Sequence, residues 1–210
     1  MTPRNDAKPA REAWLAAIRR FGRPVFTTRE LAALSGSSLS SASQGLERLA
    51  SKGLVVRLKR GLWADKSSGR VSAWAAVPYL VPGRRAYVSF LSALHFHGII
   101  EQIPQTITVA STAHSRLIRT ALGDFRIHQI APAFFAGFEA TERAGGVLMA
   151  TPEKALVDCF YLAAHRKGQY SRFPELHFPS SFSFAKAAQW ADRIPSARVR
   201  AYVRSQVSTS

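Results

Sequence analysis

The sequence predicts an α+β protein, with an N-terminal winged helix-turn-helix followed by a larger mixed α/β C-terminal domain. Three observations carry that prediction. Apolar residues recur at three- and four-residue steps through the first fifty positions, with a Ser-Gly-Ser break between the second and third runs. An alternating segment, a basic turn and a second short apolar run then follow over 54–64. Beyond that point short strand-like and helix-like stretches alternate. The 210 residues fit two modest domains. The boundaries read as a polar, flexible N-terminus at 1–9, the winged helix at 10–66, a Ser/Gly-containing linker at 67–73 and the C-terminal domain at 74–210.

Trp14, Leu15, Ile18 and Phe21 share one face of a first helix from Ala10 to Phe21, which Gly22 and Pro24 end. Val25 and Phe26 make a short extended step. Thr27 and Glu30 have capping-box spacing, in which the hydroxyl accepts a backbone N–H and the carboxylate reaches back to the first residue. They open a second helix over Thr28 to Leu34, with Leu31 and Leu34 expected inward. Ser35-Gly36-Ser37 is a turn, and Ser37 or Ser38 caps a third helix. Leu39, Ala42, Leu46, Leu49 and Ala50 are expected on its inner face, with Ser40, Ser41, Gln44, Glu47 and Arg48 in solvent. Lys52-Gly53 closes it. Leu54 to Leu58 then alternates like a strand, Lys59-Arg60-Gly61 turns, and Leu62 to Ala64 returns. Two short helices joined by a tight turn, followed directly by a hairpin, constitute a winged helix-turn-helix.

Formal net charge is +16. Residues 1–70 hold 14 Lys and Arg against 5 Asp and Glu, and the remainder 15 against 8, so the first third is the more densely basic. Such an excess repels itself in a compact state and points to a polyanionic partner, here double-stranded DNA. The third helix is placed for the major groove. Its serines, Ser38, Ser40 and Ser41, permit close approach. Gln44 suits an adenine edge, and Arg48 a guanine or a phosphate. Arg29, with Arg57, Lys59 and Arg60 of the wing, would hold phosphates or the minor groove. Glu47 opposes this unless it reads a cytosine amine. Two copies, as a homodimer on DNA, would occupy the half-sites of an inverted repeat. Winged helices also serve as protein-docking modules, which is the competing reading of this segment.

The single cysteine, Cys159, excludes an internal disulfide and a cysteine-based zinc site. With no apolar run after Met1 and no stretch long enough to span a bilayer, the chain reads as soluble and cytoplasmic, without a membrane partner.

In the C-terminal part, Trp74 to Leu80 reads as a short helix or strand and Ser89 to His97 as a helix. Ile107–Val109, Phe125–Ile130 and Val147–Met149 read as strands. Thr151-Pro152-Glu153 has the composition of a helix start. The helix it opens, through Ala164, is expected to bury Ala155, Leu156, Cys159, Phe160 and Leu162. Glu153, Lys154 and Asp158 are expected to form a charged surface set on it. Weaker helices cover Phe184–Arg193 and Ala197–Gln206. His95 and His97, two apart on a helix, diverge and chelate poorly, so no metal or cofactor is expected. No Gly-rich phosphate loop or nuclease-like carboxylate–lysine spacing is present, and no enzymatic activity is expected. Arg84, Arg85, Arg116, Arg119 and Arg126, with 111–116 as a basic loop, form either a solvated surface or a second electropositive face.

Three segments carry a resemblance to a known family. They are Arg60-Gly61-Leu62-Trp63; Tyr87 to Ile100 followed by Ile103-Pro104 and Thr106 to Ala110; and Ala150 to Asp158. In this order they resemble the AbiEi antitoxins of type IV toxin–antitoxin systems, over roughly residues 10–165. The resemblance implies a winged-helix repressor of its own operon that also neutralises a cognate nucleotidyltransferase toxin, with no stable complex required. The alternative is a winged-helix regulator whose C-terminal domain senses a small ligand. A nuclease carried by a DNA-targeting module is the third reading.

Overall fold

The computed structural model describes residues 11–67, 69, 71–165 and 173–209, with Arg11 by its backbone alone. The N-terminal segment expected to be flexible, and positions 68 and 70 of the expected linker, lie outside the described residues. The chain divides into two compact units, the first ending at Ala75 and including Thr120–Leu122, the second formed by Ala76–Arg119 and the residues from Gly123 on.

The first unit is built from α1 (Arg11–Arg19), β1 (Val25–Thr27), α2 (Thr28–Ser35), α3 (Leu39–Ala50), β2 (Val55–Lys59) and β3 (Leu62–Asp65). The strands form an antiparallel sheet in the order β1-β3-β2. The extended step at Val25 is thus a full strand, pairing Val25 with Ala64 and Thr27 with Leu62. Its core holds Trp14 and Ile18 from α1, Phe26 from β1, Leu31 from α2, Leu46 and Leu49 from α3, and Val55 and Trp63 from the wing. The buried Trp63 indole N–H donates to Thr28 Oγ1 at 2.9 Å, which ties the wing to the start of α2. The capping box forms as expected. Glu30 N–H donates to Thr27 Oγ1 at 3.1 Å, and Glu30 Oε2 accepts from Thr27 N–H at 2.7 Å. Gly36 closes α2 with φ 63°, a left-handed conformation that an L side chain resists.

Two leucines expected in this core lie outside it. Leu34 is 36% and Leu39 54% exposed. The inner face of α2 is completed by Ala32, and that of α3 by Ala42, Gly45, Leu46 and Leu49. Leu39 precedes Ala42 by three residues and so falls within helical periodicity. The inner stripe, however, is centred on Ala42–Gly45–Leu49 and leaves Leu39 at its margin.

The second unit contains α4 (Val77–Leu80) after a short 3₁₀ turn, then β4 (Ala86–Val88), α5 (Phe90–Phe96), β5 (Ile107–Ser111), β6 (Arg116–Thr120) and β7 (Gly123–Gln129). It continues with β8 (Phe138–Thr141), β9 (Val147–Ala150), α6 (Pro152–His165), α7 (Phe184–Asp192) and α8 (Ala197–Thr209). Its six-stranded mixed sheet has the order β6-β7-β5-β4-β9-β8. β4 runs antiparallel to β5 and parallel to β9, while β5 and β7 are parallel. β4, β6 and β8 were not expected as strands. β4 is three residues long. β6 carries Arg116 and Arg119 three positions apart, which breaks the two-residue alternation that marks a strand and made the segment read as loop. Tyr87, Ala110 and His128 are neighbours across β4, β5 and β7 on one face of the sheet, and α6 packs over Tyr87. Every residue of α6 from Glu153 to Leu162 is buried, with α5, α7 and α8 packed about it.

Candidate nucleic-acid interface

The first unit presents one exposed helix face and one hairpin. On α3, Leu39, Ser40, Gln44, Glu47 and Arg48 are exposed and Ser41 and Ser43 half-buried. This is the solvated stripe that helical spacing predicts, extended by Leu39. Ser38 caps the helix, its Oγ accepting the Ser41 N–H at 3.1 Å. Arg48 Nε donates to the Gln44 carbonyl at 3.2 Å, which aligns the guanidinium along the helix. Arg29 is exposed in the first turn of α2.

The wing differs from expectation in one respect. Arg57 lies within β2 as expected, but Lys59 ends that strand, and the turn is Arg60 and Gly61 alone. Gly61 holds φ 74° there, and its carbonyl accepts the Thr28 N–H at 3.0 Å. From β2, Arg57 reaches Glu47 of α3 at 3.1 Å and lies 5.6 Å from the Trp63 ring centroid. Both members of the pair are about half exposed, so the bridge adds little stability. Its effect is on charge: the one acid on the presented stripe is covered by a cation of the wing, so Glu47 is held by Arg57 and not turned toward a cytosine.

Residues 15–64 match the family model described as "Transcriptional regulator, AbiEi antitoxin". Over that span the winged helix is similar to the AbiEi antitoxins. The match covers about a quarter of the chain and spans α3 and both wing strands. Comparison with curated proteins gives no match. The regulator role in that description accords with an exposed α3 stripe and a basic wing. Among the described residues no helix is long and apolar enough to cross a membrane.

Of the second set of cations, Arg84 and Arg85 precede β4 and Arg116 opens β6. Arg84 reaches Thr112 Oγ1 at 3.5 Å, Arg85 lies 5.2 Å from the Phe138 ring centroid, and Arg116 donates to the Leu80 carbonyl at 3.3 Å. Arg119 stands further along β6, 3.7 Å from Asp124, and Arg126 is exposed on β7. His97 Nε2 lies 2.8 Å from the Ala150 carbonyl and His95 Nδ1 3.3 Å from that of Ile100, so both rings are engaged by backbone. Among the described residues no group of three or more His, Cys, Asp or Glu is arranged to hold a metal.

The charged set expected on the surface of α6 is in fact buried. Lys154 and Asp158 are fully enclosed and form an ion pair. Asp158 Oδ2 accepts from Ser89 Oγ at 2.7 Å and from Tyr87 OH at 3.0 Å, and Lys154 Nζ donates to Tyr87 OH at 3.1 Å. The ammonium also sits 3.6 Å from the Phe134 ring centroid. Glu153, buried as well, accepts the Ser183 N–H at 3.2 Å ahead of α7. Burial pushes Lys154 below its ordinary value, against the pull of Asp158. Burial, then the Asp158 charge, pushes Tyr87 well above its own. The sequence held a sign of this: Ala155, Leu156, Val157, Cys159, Phe160 and Leu162 leave the helix no polar face for Lys154 and Asp158 to occupy.

The same cluster anchors a strained residue. Phe90 has φ 57°, costly for a bulky side chain. Ser89 before it is held by Asp158. Thr108 Oγ1 donates to the Ser89 carbonyl at 2.7 Å and accepts the Ser92 N–H at 3.1 Å, so the first turn of α5 is fixed from both sides.

Proposed function

We propose that the chain is the antitoxin of a type IV toxin–antitoxin system and the repressor of its own operon. In this reading the winged helix binds an inverted-repeat operator as a homodimer, and the C-terminal domain neutralises a nucleotidyltransferase toxin. The observation that carries it is the α3 stripe with its acid covered by Arg57, flanked by the basic turn of the wing, on a domain similar to the AbiEi antitoxins. Ser38, Ser40, Ser41, Gln44 and Arg48 would face the major groove, with Arg29, Arg57, Lys59 and Arg60 on phosphates. Arg84, Arg85, Arg116 and Arg119 would engage the toxin or its nucleic-acid substrate.

A gel shift with the DNA upstream of the chain's own gene tests the operator half. Lys59→Ala with Arg60→Ala should weaken binding to every sequence and lower the salt slope by about 0.9 for each phosphate no longer neutralised. No binding by the unaltered protein would sink the proposal.

A ligand-sensing C-terminal domain has one observation in its favour. An open cleft of about 350 Å³ is walled by Gln129, Tyr161 and His165. Operator affinity that changes with a small molecule bound there would support that reading.

A further inference from the structure

The presented stripe of α3 has an apolar end. Leu39 stands 54% exposed in the first turn, beside Ser40 and one turn before Ser43 and Gln44. An aliphatic side chain so exposed is not held there by the core, and an alanine would satisfy the helix at least as well. The first two turns of α3 carry no Lys or Arg. Arg48, the first cation along the helix, lies in its last turn and is aligned by the Gln44 carbonyl. Glu47, the acid that would select cytosine, is held by Arg57. The half of the helix that enters a major groove first therefore presents one apolar group, one carboxamide and serine hydroxyls that suit any base, without a guanidinium for guanine or a free carboxylate for cytosine.

Each base pair displays its own groups in the major groove. Only thymine offers a methyl group, and a carboxamide matches the N6 and N7 of adenine. We infer that α3 reads an A·T-centred half-site, with Leu39 against a thymine methyl and Gln44 on an adenine. The inference rests on the proposed DNA-binding role and adds the class of sequence that is bound. Leu39 and Gln44 are five residues apart, about 7.5 Å along the helix axis and about 140° around it, so they meet different base pairs.

Selection of bound duplexes from a randomised pool by the full-length protein should return half-sites that hold both a T·A pair and a separate adenine. Deoxyuridine in place of thymine then removes the methyl group alone. At one position of the half-site this should weaken the unaltered protein by about fourfold, the value of burying one methyl-sized group. Leu39→Ala should bind the thymine site with a similar loss and show no further loss on uridine. Its affinity for random duplex, salt slope and circular dichroism should be unchanged, since the side chain is not in the core. A G·C-centred selected site would overturn the inference, as would thymine-to-uridine losses that are absent or equal in Leu39→Ala. So would a Leu39→Ala protein altered in oligomeric state but not in thymine discrimination, because Leu39 would then belong to a protein interface. In each of these cases binding to duplex survives and the DNA-binding role stands. If the unaltered protein binds no duplex, that role fails and this inference with it.

Discussion

Lys154 and Asp158 are the residues whose removal should reveal most about the C-terminal domain. A fully buried carboxylate that keeps its hydroxyl partners but loses its ammonium is left as an uncompensated charge. Lys154→Met should destabilise the protein by about 3–5 kcal/mol in urea denaturation, and Lys154→Met combined with Asp158→Leu should recover much of that loss. Cys159, one residue on, gives a pH prediction. Burial first, then the Asp158 charge, pushes its thiol well above the ordinary thiol value. An acid whose folded value is raised stays protonated longer in the native state. Its contribution to stability is complete below the unfolded value and is lost as pH climbs from there toward the folded one. At a pH of about 8.5, near the ordinary thiol value, iodoacetamide should leave the native protein unlabelled, and labelling should appear only along the unfolding transition.

Element packing depends on two details of α3. Gly45 lies in the middle of the helix, where glycine costs up to about 1 kcal/mol relative to alanine. A Cβ there would stand 2.8 Å from the Trp14 indole, so the missing side chain lets α1 lie flat on α3. Gly45→Ala should therefore lower the melting temperature despite its better helix propensity, by several degrees if overpacking costs about 1–3 kcal/mol. Combined with Trp14→Phe, the loss should be smaller than the sum of the two. The second detail is the Glu47–Arg57 bridge between α3 and β2. Arg57→Ala should weaken DNA binding more than Lys59→Ala does, because it removes a cation and uncovers an anion. Glu47→Gln should restore part of the difference, measured as affinity at one fixed salt concentration. Helical spacing marked Gln44, Glu47 and Arg48 as a presented stripe. That a wing arginine covers Glu47 joins residues ten apart in sequence through the turn between α3 and β2, and no local pattern carries it.

For the whole molecule, the division of roles can be tested without cutting the chain. Gln44→Ala with Lys59→Ala and Arg60→Ala should abolish repression of a reporter while leaving rescue from the toxin intact. Arg84→Ala with Arg85→Ala and Arg116→Ala should do the reverse. Loss of both functions from either set would refute the split. Composition alone leaves the basic charge of the C-terminal part as either solubilising surface or functional face. Arg84 and Arg116 reach Thr112 and the Leu80 carbonyl, Arg85 lies over Phe138 of β8, and Arg119 pairs with Asp124.

The winged helix itself was determined by the sequence alone. A capping box, a left-handed glycine and an alternating hairpin act over a few residues, and α1, α2, α3 and the wing follow from them. The α+β class follows in the same way from helix-like and strand-like runs. The tertiary structure decided what periodicity cannot carry. It put β4, β6 and β8 into the larger sheet and exposed Leu34 and Leu39. It also buried Lys154 and Asp158 against Tyr87 and Ser89, residues about seventy positions away. The physical reason is common to these cases. A local pattern records which residues share a face, but whether that face meets water, a sheet or an opposite charge depends on what the rest of the chain places against it. The winged helix could be read at its presented stripe because that stripe faces no other element of the domain, apart from the single arginine that reaches across to Glu47.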